Sequence, residues 1–307
     1  MTTARQPILL QKKPDWFRVR REHGPNYVEL RRLVLQEGLH TVCQEARCPN
    51  IYECWNQRTA TFMILGDRCT RACRFCNVRW GRTGTVDWDE PRRVAEAVER
   101  LGLDFAVITS VNRDDLPDGG AAIFAATVRE IRARIPSCGI EVLIPDFQGN
   151  WEALRTVVEA RPEVIAHNVE TVPRLFRRIQ PWDDYGRSLE LFRQIQAMDP
   201  DIALKSGVIV GMGETWDELV SVMQDLREVG VEILTIGQYL PPTPRHYPLH
   251  RYYTLEEFEE LRRIGEEELG YVYVEAGPLV RSSYHAKEQY ERYRARRLQQ
   301  GVRDSAE

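Results

Sequence analysis

Short apolar runs alternate with amphipathic segments along most of the chain, from residue 59 onward. The apolar runs have the length and composition of buried strands, and the segments between them carry apolar residues at helical spacing. Six strands are predicted, at 59–66, 105–111, 139–145, 164–169, 202–210 and 232–240. Six helices are predicted, at 91–101, 120–135, 151–160, 185–198, 215–229 and 255–268.

This alternation predicts an α/β fold with a parallel sheet, because each helix returns the chain to the same end of the sheet. An open partial barrel of six βα units, a partial (β/α)6 barrel, is the preferred architecture. A doubly wound sheet is the alternative, since periodicity does not distinguish the two.

Two extensions flank the predicted barrel. Residues 1–56 form an N-terminal extension with a predicted helix at 27–38, residues 57–270 form the barrel, and residues 271–307 form a C-terminal extension. Within the last of these, the stretch 271–285 is predicted to be extended. The charged tail beyond residue 288 is predicted to be a solvated or frayed helix.

Composition excludes several classes of protein. Of the 307 residues, 43% are hydrophobic and 29% are charged, which is ordinary for a soluble globular protein. The net charge of −4 gives no basic excess for nucleic acid, and no run approaches the roughly 18 apolar residues of a membrane span. The first residues lack the apolar core of a secretory signal. A cytoplasmic protein is predicted, with an organellar transit segment as the alternative.

Polar side chains mark the predicted strands near their carboxyl ends, where active sites form in parallel βα folds. Asn112 follows the second strand, and Asn168 and Glu170 lie at the end of the fourth. Lys205 and Ser206 lie in the fifth strand. Because polar residues also collect at strand ends without a function, each of these is a candidate only.

Seven cysteines are present, and six of them lie between residues 43 and 76. An odd, clustered set is more typical of metal ligands than of a disulfide framework. The seventh, Cys138, precedes the third predicted strand. It should therefore lie at the opposite end of the barrel, as an inert buried thiol.

A CxxxCxxC loop, residues 67–77, carries Cys69, Cys73 and Cys76 directly after the first predicted strand. Three thiolates on such a loop can hold three corners of a [4Fe-4S] cluster and leave its fourth iron without a protein ligand. An open position of this kind binds substrate, by the logic that separates catalytic from structural zinc sites. A zinc knuckle or three unrelated thiols are the alternatives.

The extension cysteines, Cys43, Cys48 and Cys54, form a second set of three thiols with the spacing CxxxxCxxxxxC. They again leave one ligand of a cubic cluster to be found elsewhere. A zinc site closed by His40 is the alternative.

The sequence CTRACRFC at 69–76 fits the signature of the radical S-adenosylmethionine (SAM) superfamily, which the chain resembles. The extension segment CQEARCPNIYEC and the motif RSSY at 281–284 are similar to those of the lipoyl synthase family. Further similar segments between residues 37 and 285 are NRDDLPDGGA, HNVETV, KSGVIVGMGE, GQYLPPT and EAGPLVRSSYHA. No ligand position departs from the family's pattern.

The resemblance implies two [4Fe-4S] clusters and a partial barrel. It implies that the CxxxCxxC loop holds the cluster that binds SAM, and that the extension cysteines hold an auxiliary cluster. Ser283 would be the fourth ligand of the auxiliary cluster, with Ser282 as the alternative. Arg281 would either position that serine or stabilise the cluster electrostatically. An oxygen ligand suits iron less well than a thiolate does, so this corner should be the easiest to open.

The remaining assignments concern SAM and the substrate. Asn112, Asn168 and Glu170 are candidates for binding the ribose or methionine part of SAM, or the substrate. Glu170 is equally interpretable as a structural salt-bridge partner. Lys205 and Ser206 are candidates for binding the SAM carboxylate.

The reaction implied is the insertion of two sulfur atoms at the sixth and eighth carbons of an octanoyl chain on a carrier-domain lysine. The auxiliary cluster would donate the sulfur. Implied partners are octanoylated carrier domains (a 2-oxoacid dehydrogenase acyltransferase subunit and the glycine cleavage H protein), a ferredoxin or flavodoxin as electron donor, and cluster-repair proteins. Nucleic acid and membrane are not implied. The alternatives are another radical SAM sulfurtransferase and a non-catalytic iron–sulfur carrier.

Overall fold

An eight-stranded sheet forms the centre of the protein in a computed structural model that describes residues 13–17 and 22–304, with side chains to residue 299. The strands are β1 (His40–Thr41), β2 (Thr61–Ile64), β3 (Arg68–Cys69), β4 (Arg79–Trp80), β5 (Phe105–Ser110), β6 (Gly139–Leu143), β7 (Val164–Ala166), β8 (Ala203–Val210), β9 (Ile233–Gln238) and β10 (Tyr273–Gly277). In the large sheet their order is β1-β2-β5-β6-β7-β8-β9-β10, and β3 pairs with β4 separately. All neighbours are parallel except β1 and β2.

Helices connect the parallel strands. The helices are α1 (Pro25–Gln36), α2 (Val42–Glu45), α3 (Ile51–Asn56), α4 (Glu90–Leu101), α5 (Ala121–Arg134), α6 (Trp151–Val158), α7 (Pro173–Ile179), α8 (Tyr185–Met198), α9 (Trp216–Glu228), α10 (Leu255–Arg263) and α11 (Ala286–Asp304). A π-helical turn, Ile264–Glu268, continues α10. None of these helices is long and apolar enough to cross a bilayer, over the residues that the structure describes.

The predicted partial barrel is confirmed, and each of the six predicted strands is present. Their residues are buried almost throughout, as in β2 and β9, which explains why they are continuous apolar runs. The stretch 271–285, predicted only as extended, contains a seventh parallel strand, β10, in register with β9 from Tyr273 opposite Ile233 to Gly277 opposite Gly237. This strand brings the RSSY motif to the same sheet edge as the other strand ends.

The N-terminal extension packs onto the barrel. Helix α1 buries Tyr27, Leu30, Leu33 and Val34, and these belong to the same hydrophobic cluster as the strands. The fully buried Trp55 of α3 stacks near Tyr27, with ring centroids 5.3 Å apart. The extension that carries Cys43, Cys48 and Cys54 is thereby fixed against the barrel wall.

The C-terminal tail covers the opposite end of the barrel. Ala286 and Tyr293 of α11 are buried in a cluster with Phe105, Val164 and Ile233, which lie at the amino ends of their strands. The tail is a helix, as predicted, but one face of it is packed rather than solvated. Cys138, directly before β6, is also buried, and burial raises the pKa of its thiol to about 11.

Candidate functional site

A cavity of about 810 Å³ lies at the carboxyl ends of the strands. Its volume is within the usual range for small-molecule sites. All six clustered cysteines contribute to its lining: Cys43, Cys48, Cys54, Cys69, Cys73 and Cys76. The two cysteine sets, which come from the extension and from the barrel, therefore face one shared space.

Arg71 holds the CxxxCxxC loop against the barrel. Its guanidinium is buried and forms ion pairs with Asp114 and Asp146, both at 2.7 Å, and with Asp183. These carboxylates come from three separate segments: Asp114 follows β5, Asp146 follows β6, and Asp183 lies between α7 and α8. Burial acts to raise the pKa of Asp114 and of Asp146, but Arg71 outweighs it and both pKa values lie below the ordinary value. The loop is therefore fixed by a buried, charged network.

Backbone hydrogen bonds fix the same loop and reach its sulfurs. The hydroxyl of Thr70 lies 3.0 Å from both the carbonyl oxygen of Asn112 and Asp114 Oδ2, and its one proton can be donated to either. The backbone N–H groups of Asn112 and Arg71 lie 3.3 and 3.4 Å from Cys69 Sγ, and that of Val78 lies 3.5 Å from Cys76 Sγ. N–H donors of this kind stabilise sulfur that carries negative charge, as in iron–sulfur sites.

Burial raises the pKa of two of the loop thiols, Cys73 and Cys76. The pKa of Cys76 is raised to about 11 by burial, and that of Cys73 is raised by burial and by the nearby carboxylate of Asp183. One carboxylate oxygen of Asp183 lies 3.8 Å from Cys73 Sγ. Thiols in such surroundings give up their protons when a cationic metal centre compensates the charge. This donor set fits an iron–sulfur cluster.

Two short helices position the extension cysteines. Cys43 lies in α2, Cys54 in α3, and Cys48 between them, where its N–H donates to the carbonyl of Cys43 at 3.0 Å. Helix α2 is capped by the Thr41 side chain, which accepts from the N–H of Gln44. Burial raises the pKa of Cys43 to about 11 and also raises those of Cys48 and Cys54.

The RSSY motif lies against the extension cysteines. Thr61 of β2 donates from its hydroxyl to Ser283 Oγ at 2.7 Å. Asn50 Nδ2 donates to the carbonyl of Leu279 at 2.7 Å, and Tyr284 donates to Glu53 Oε1 at 3.1 Å. Ser282 and Ser283 both line the cavity. The hydrogen bond from Thr61 distinguishes Ser283 from its neighbour.

Zinc is the alternative metal for both cysteine sets. Among the described residues, no group of three or more His, Cys, Asp or Glu side chains is arranged to hold a single metal ion. His40, the alternative zinc ligand, lies with its Nδ1 3.7 Å from Glu45 Oε1. A cubic cluster spreads its ligands over four irons, whereas zinc gathers four ligands around one centre.

Several polar atoms at the strand ends are buried without a hydrogen-bond partner among the described residues, namely Ser110 Oγ, Asn112 Oδ1 and Asn168 Oδ1. Such atoms normally have partners, so each fits contact with a polar ligand in the cavity. All three residues line the cavity. The site therefore fits a ligand that offers several hydrogen-bond donors, as SAM does.

Glu170 lies beside these atoms on an unusual backbone. Its φ is +64°, and its backbone is held by hydrogen bonds to Gly207 and Ile209 of β8. Asn168 Nδ2 donates to Glu170 Oε1 at 3.1 Å. Burial raises the pKa of Glu170 to about 7, although the hydrogen bond from Asn168 opposes this. A Cβ at position 207 would lie 2.7 Å from Asn168 Oδ1, so a residue larger than glycine does not fit beside Asn168 in this position.

The sequence-based assignment of Lys205 and Ser206 to the SAM carboxylate is corrected by their positions in the structure. Lys205 is the third residue of β8, is fully buried, and its Nζ lies 2.9 Å from both carboxylate oxygens of Glu141. The hydroxyl of Ser206 donates to the carbonyl of His167 at 2.8 Å. Neither residue lines the cavity. Because β8 continues for several residues beyond them, they lie inside the barrel below its carboxyl end.

Arg281 is half-buried and lines the cavity between the two cysteine sets. Burial lowers the pKa of its guanidinium, while negative charge on Cys48 and Glu170 acts to raise it. Sequence reasoning missed Arg71, Asp146 and Asp183. The signal for Arg71 was its position between two cysteines of a buried loop, and that for Asp146 was its position directly after the third predicted strand, but nothing local marked Asp183.

Comparisons with known proteins agree with this geometry. The model of the Radical SAM superfamily matches residues 63–226. A lipoyl synthase of Rubrobacter xylanophilus is 57% identical, over 91% of this chain and 87% of that protein. A lipoyl synthase of Symbiobacterium thermophilum is 55% identical, over 95% of this chain and 91% of that protein.

The chain belongs to the lipoyl synthase family.

Solved structures extend the likeness of fold beyond the lipoyl synthase family. Methylornithine synthase aligns with a TM-score of 0.52 at 14% identity, over 80% of this chain and 72% of that one. A maturase of [FeFe]-hydrogenase aligns with a TM-score of 0.54 at 13% identity, over 68% of this chain and 49% of that one. The resemblance seen in the sequence is confirmed: this member of the lipoyl synthase family is a radical SAM enzyme that uses SAM and a [4Fe-4S] cluster.

Proposed function

We propose that this enzyme inserts two sulfur atoms at the sixth and eighth carbons of an octanoyl-lysine on a carrier domain, with a second cluster as the sulfur donor. The observation that carries the proposal is the single cavity lined by both cysteine sets. A sulfur atom held by the extension cysteines and a radical formed at the CxxxCxxC loop would meet the same substrate chain there.

The proposal assigns two metal centres. Cys69, Cys73 and Cys76 would hold the cluster that binds SAM, and Cys43, Cys48, Cys54 and Ser283 would hold the auxiliary cluster. When bound, SAM and the two clusters supply a radical that can attack unactivated C–H bonds, and sulfide. Thr61 supports the assignment of Ser283, because its hydroxyl fixes that serine at the cavity wall.

The cavity walls suit an acyl chain. Apolar side chains line the cavity from several elements, namely Val42, Ile51, Met63, Phe75, Val78, Leu143, Ile209 and Leu240. An octanoyl group has no hydrogen-bonding atoms beyond its carbonyl, so apolar walls can bury it and exclude water at modest cost. Polar atoms concentrate instead around Asn112, Asn168 and Glu170, which we assign to SAM.

Different segments of the chain would build the two sites. Residues 1–56 and 271–307 would together build the auxiliary site, and residues 57–270 the SAM site. Arg281, between the two, would steady negative charge on either side. The acyl substrates would be the carrier domains of a 2-oxoacid dehydrogenase acyltransferase subunit and the glycine cleavage H protein. A ferredoxin or flavodoxin would supply electrons, and separate repair proteins would rebuild the spent cluster in a cytoplasmic setting.

One assay tests the proposed function. The reconstituted chain is incubated without oxygen with SAM, dithionite and an octanoyl-lysine peptide, and the peptide mass is followed. The addition of two sulfur atoms, with about eight iron and eight sulfide per chain beforehand, supports the proposal. A chain that binds zinc, or that cleaves SAM without altering the octanoyl peptide, contradicts it.

A further inference from the structure

Two arginines face each other directly on the outside of the CxxxCxxC loop. Strands β3 and β4 are parallel, and their register places Arg68 opposite Arg79. Both side chains are exposed. Like charges directly opposite in a strand pair are destabilising, so the arrangement costs stability unless something outside the chain uses it.

Little in the chain balances this charge. Arg79 Nη1 lies 3.5 Å from Asp67, and no acidic group of the described residues lies within ion-pair distance of Arg68 or Arg82. Residues 67–83 contain five arginines and one aspartate, although the chain as a whole carries a net charge of −4. Arg71 is neutralised internally by its three aspartates. The remaining positive charge is therefore a local property of this surface.

Trp80 lies between Arg79 and Arg82 in the chain and also lines the cavity. Its side chain is 63% exposed, which is unusual for so large an apolar group. Its indole N–H donates to the carbonyl of Thr70 at 3.2 Å, and its Cα is in register with that of Cys69. The next N–H, of Gly81, donates to the carbonyl of Cys69 at 3.1 Å. The basic surface is thus in direct contact with the backbone of the CxxxCxxC loop.

We propose that Arg68, Arg79, Arg82 and Trp80 form the docking surface for an acidic one-electron carrier protein. The inference rests on the proposed role of the CxxxCxxC loop, whose cluster must receive an electron before SAM is cleaved. In that step one electron leaves the reduced carrier and enters the cluster, and no bond forms or breaks. Opposite charge steers such a partner toward the surface, and an exposed tryptophan among arginines is typical of an energetic anchor.

The position of the surface favours an electron carrier over the acyl carrier domain. Its contacts run to Cys69 and Thr70, so a partner bound there lies against the loop that would hold the cluster. Of the eight apolar residues assigned to the acyl chain, six belong to other segments, and Phe75 and Val78, which lie in this one, are less exposed than the arginines of the surface. Small, transient interfaces are also usual for electron transfer, and four side chains can supply one.

The first measurement is of binding. Flavodoxin is titrated into the wild-type chain, into the Arg79→Glu/Arg82→Glu double variant and into an Arg129→Glu control on the outer helix α5, with and without reconstituted clusters. We expect the glutamate double variant to bind flavodoxin about ten-fold more weakly than the wild type, and its affinity to depend less on salt concentration. The Arg129→Glu control should bind as the wild type does. The second double variant, Arg79→Gln/Arg82→Gln, removes charge without reversing it, so its affinity for flavodoxin should lie between that of the wild type and that of the glutamate double variant. Equal affinities for all four proteins would overturn the proposal.

The second measurement compares reductants. Reduced flavodoxin should drive formation of 5′-deoxyadenosine about ten-fold more slowly in the double variant, whereas dithionite, which needs no docking, should drive it at the wild-type rate. If the double variant instead loses dithionite-driven conversion of a carrier domain but keeps that of an octanoyl-lysine peptide, the surface binds the acyl carrier and the proposal is wrong. A wild-type chain that is inactive with dithionite would contradict the proposed function, while the binding titration would still decide this inference.

Discussion

The two cysteine sets line one cavity but are held in different ways. The CxxxCxxC loop is fixed by a buried arginine with three carboxylates. The extension is joined to residues 279–284 by single hydrogen bonds, from Asn50 to the carbonyl of Leu279 and from Tyr284 to Glu53, and Thr61 of β2 adds one to Ser283. A buried charge network resists partial opening, since removing one member leaves uncompensated charge. Single hydrogen bonds contribute only about 1 kcal/mol each.

The electrostatic surroundings of the two sets also differ. Negative charge from Asp183 and Glu170 raises the pKa of Cys73 further, after burial. Cys48 has Arg281 nearby, which acts to lower its pKa against the effect of burial. The rigid CxxxCxxC loop suits a cluster that passes electrons repeatedly. The weaker contact between the extension and the RSSY segment suits a cluster that is dismantled and rebuilt. The comparison predicts that changes at the two sites have separable consequences.

The largest effect is expected from Cys73→Ala, because it removes a ligand from the rigid loop. SAM cleavage should be lost, since the cluster that binds SAM would be missing a corner. Formation of 5′-deoxyadenosine, measured with dithionite, tests this expectation. Undiminished cleavage by the variant would show that the loop assignment is wrong.

Ser283→Ala should separate the two halves of the reaction. SAM cleavage should remain near the wild-type level, and sulfur insertion into the octanoyl peptide should be abolished, because only the auxiliary site is changed. Ser282→Ala is the matched control and should retain both activities. Full sulfur insertion by the Ser283 variant, with loss in the control, would move the ligand assignment to Ser282.

Arg71→Met should destabilise the fold by about 3–5 kcal/mol, because Asp114 and Asp183 lose their counter-charge and the buried Asp146 keeps only that of Arg187. Urea unfolding at pH 7 measures this, with the exposed Arg193→Met as a control that should be unchanged. In the wild type, the depressed pKa values of Asp114 and Asp146 give stability that is present at neutral pH and is lost as pH falls through their folded-state pKa values. In the variant the aspartates lack that partner, so the deficit should shrink as pH falls from 7 to 5. A deficit that does not vary with pH would mean that lost packing, not charge, is the cause.

Much of the fold could be predicted because most strands are buried on both faces and appear as continuous apolar runs. Strand β10 could not, because Tyr273 and Glu275 are only half-buried at the sheet edge. The packed side of α11 rests on few apolar residues, so the sequence indicated a solvated helix.

The cysteine spacing and the RSSY motif identified the candidate ligands. The ion pairs and hydrogen bonds that hold those ligands in place could not be predicted from the sequence. Arg71 meets Asp183 across 112 positions of the chain, and neither has a local pattern that points to the other. Lys205 was assigned to SAM because the register of β8 relative to the barrel end is not readable from its sequence. Its salt bridge with Glu141 depends on the pairing of strands that are separate in the chain.

A smaller effect is expected from Glu170→Gln in the cluster-free chain. The pKa of Glu170 is raised to about 7 in the folded protein by burial, above the unfolded value of 4.5, so its ionisation opposes folding at higher pH. The variant should be more stable than wild type by about 3 kcal/mol at pH 8, and the difference should vanish near pH 4. Urea unfolding at both pH values measures this. A constant difference would show that the carboxyl does not titrate as described.

The smallest effect is expected from Thr61→Val, which removes the hydrogen bond to Ser283 and nearly preserves shape. A loss of about 1 kcal/mol in unfolding free energy is expected, well below that of Arg71→Met. Thermal unfolding of the two variants side by side makes the comparison direct. A loss as large as that of Arg71→Met would show that the auxiliary site is as rigidly held as the loop.

The central claim is that sulfur held by the extension cysteines reaches a substrate activated at the CxxxCxxC loop, within one cavity. The most direct measurement is mass analysis of the octanoyl-lysine peptide after a single turnover by chain reconstituted with heavy-isotope sulfide, in a buffer containing only ordinary sulfide. The account predicts that both inserted sulfur atoms carry the heavy isotope, and that a variant lacking Cys43, Cys48 and Cys54 cleaves SAM but inserts none. Ordinary sulfur in the product, or heavy sulfur inserted by that variant, would contradict it.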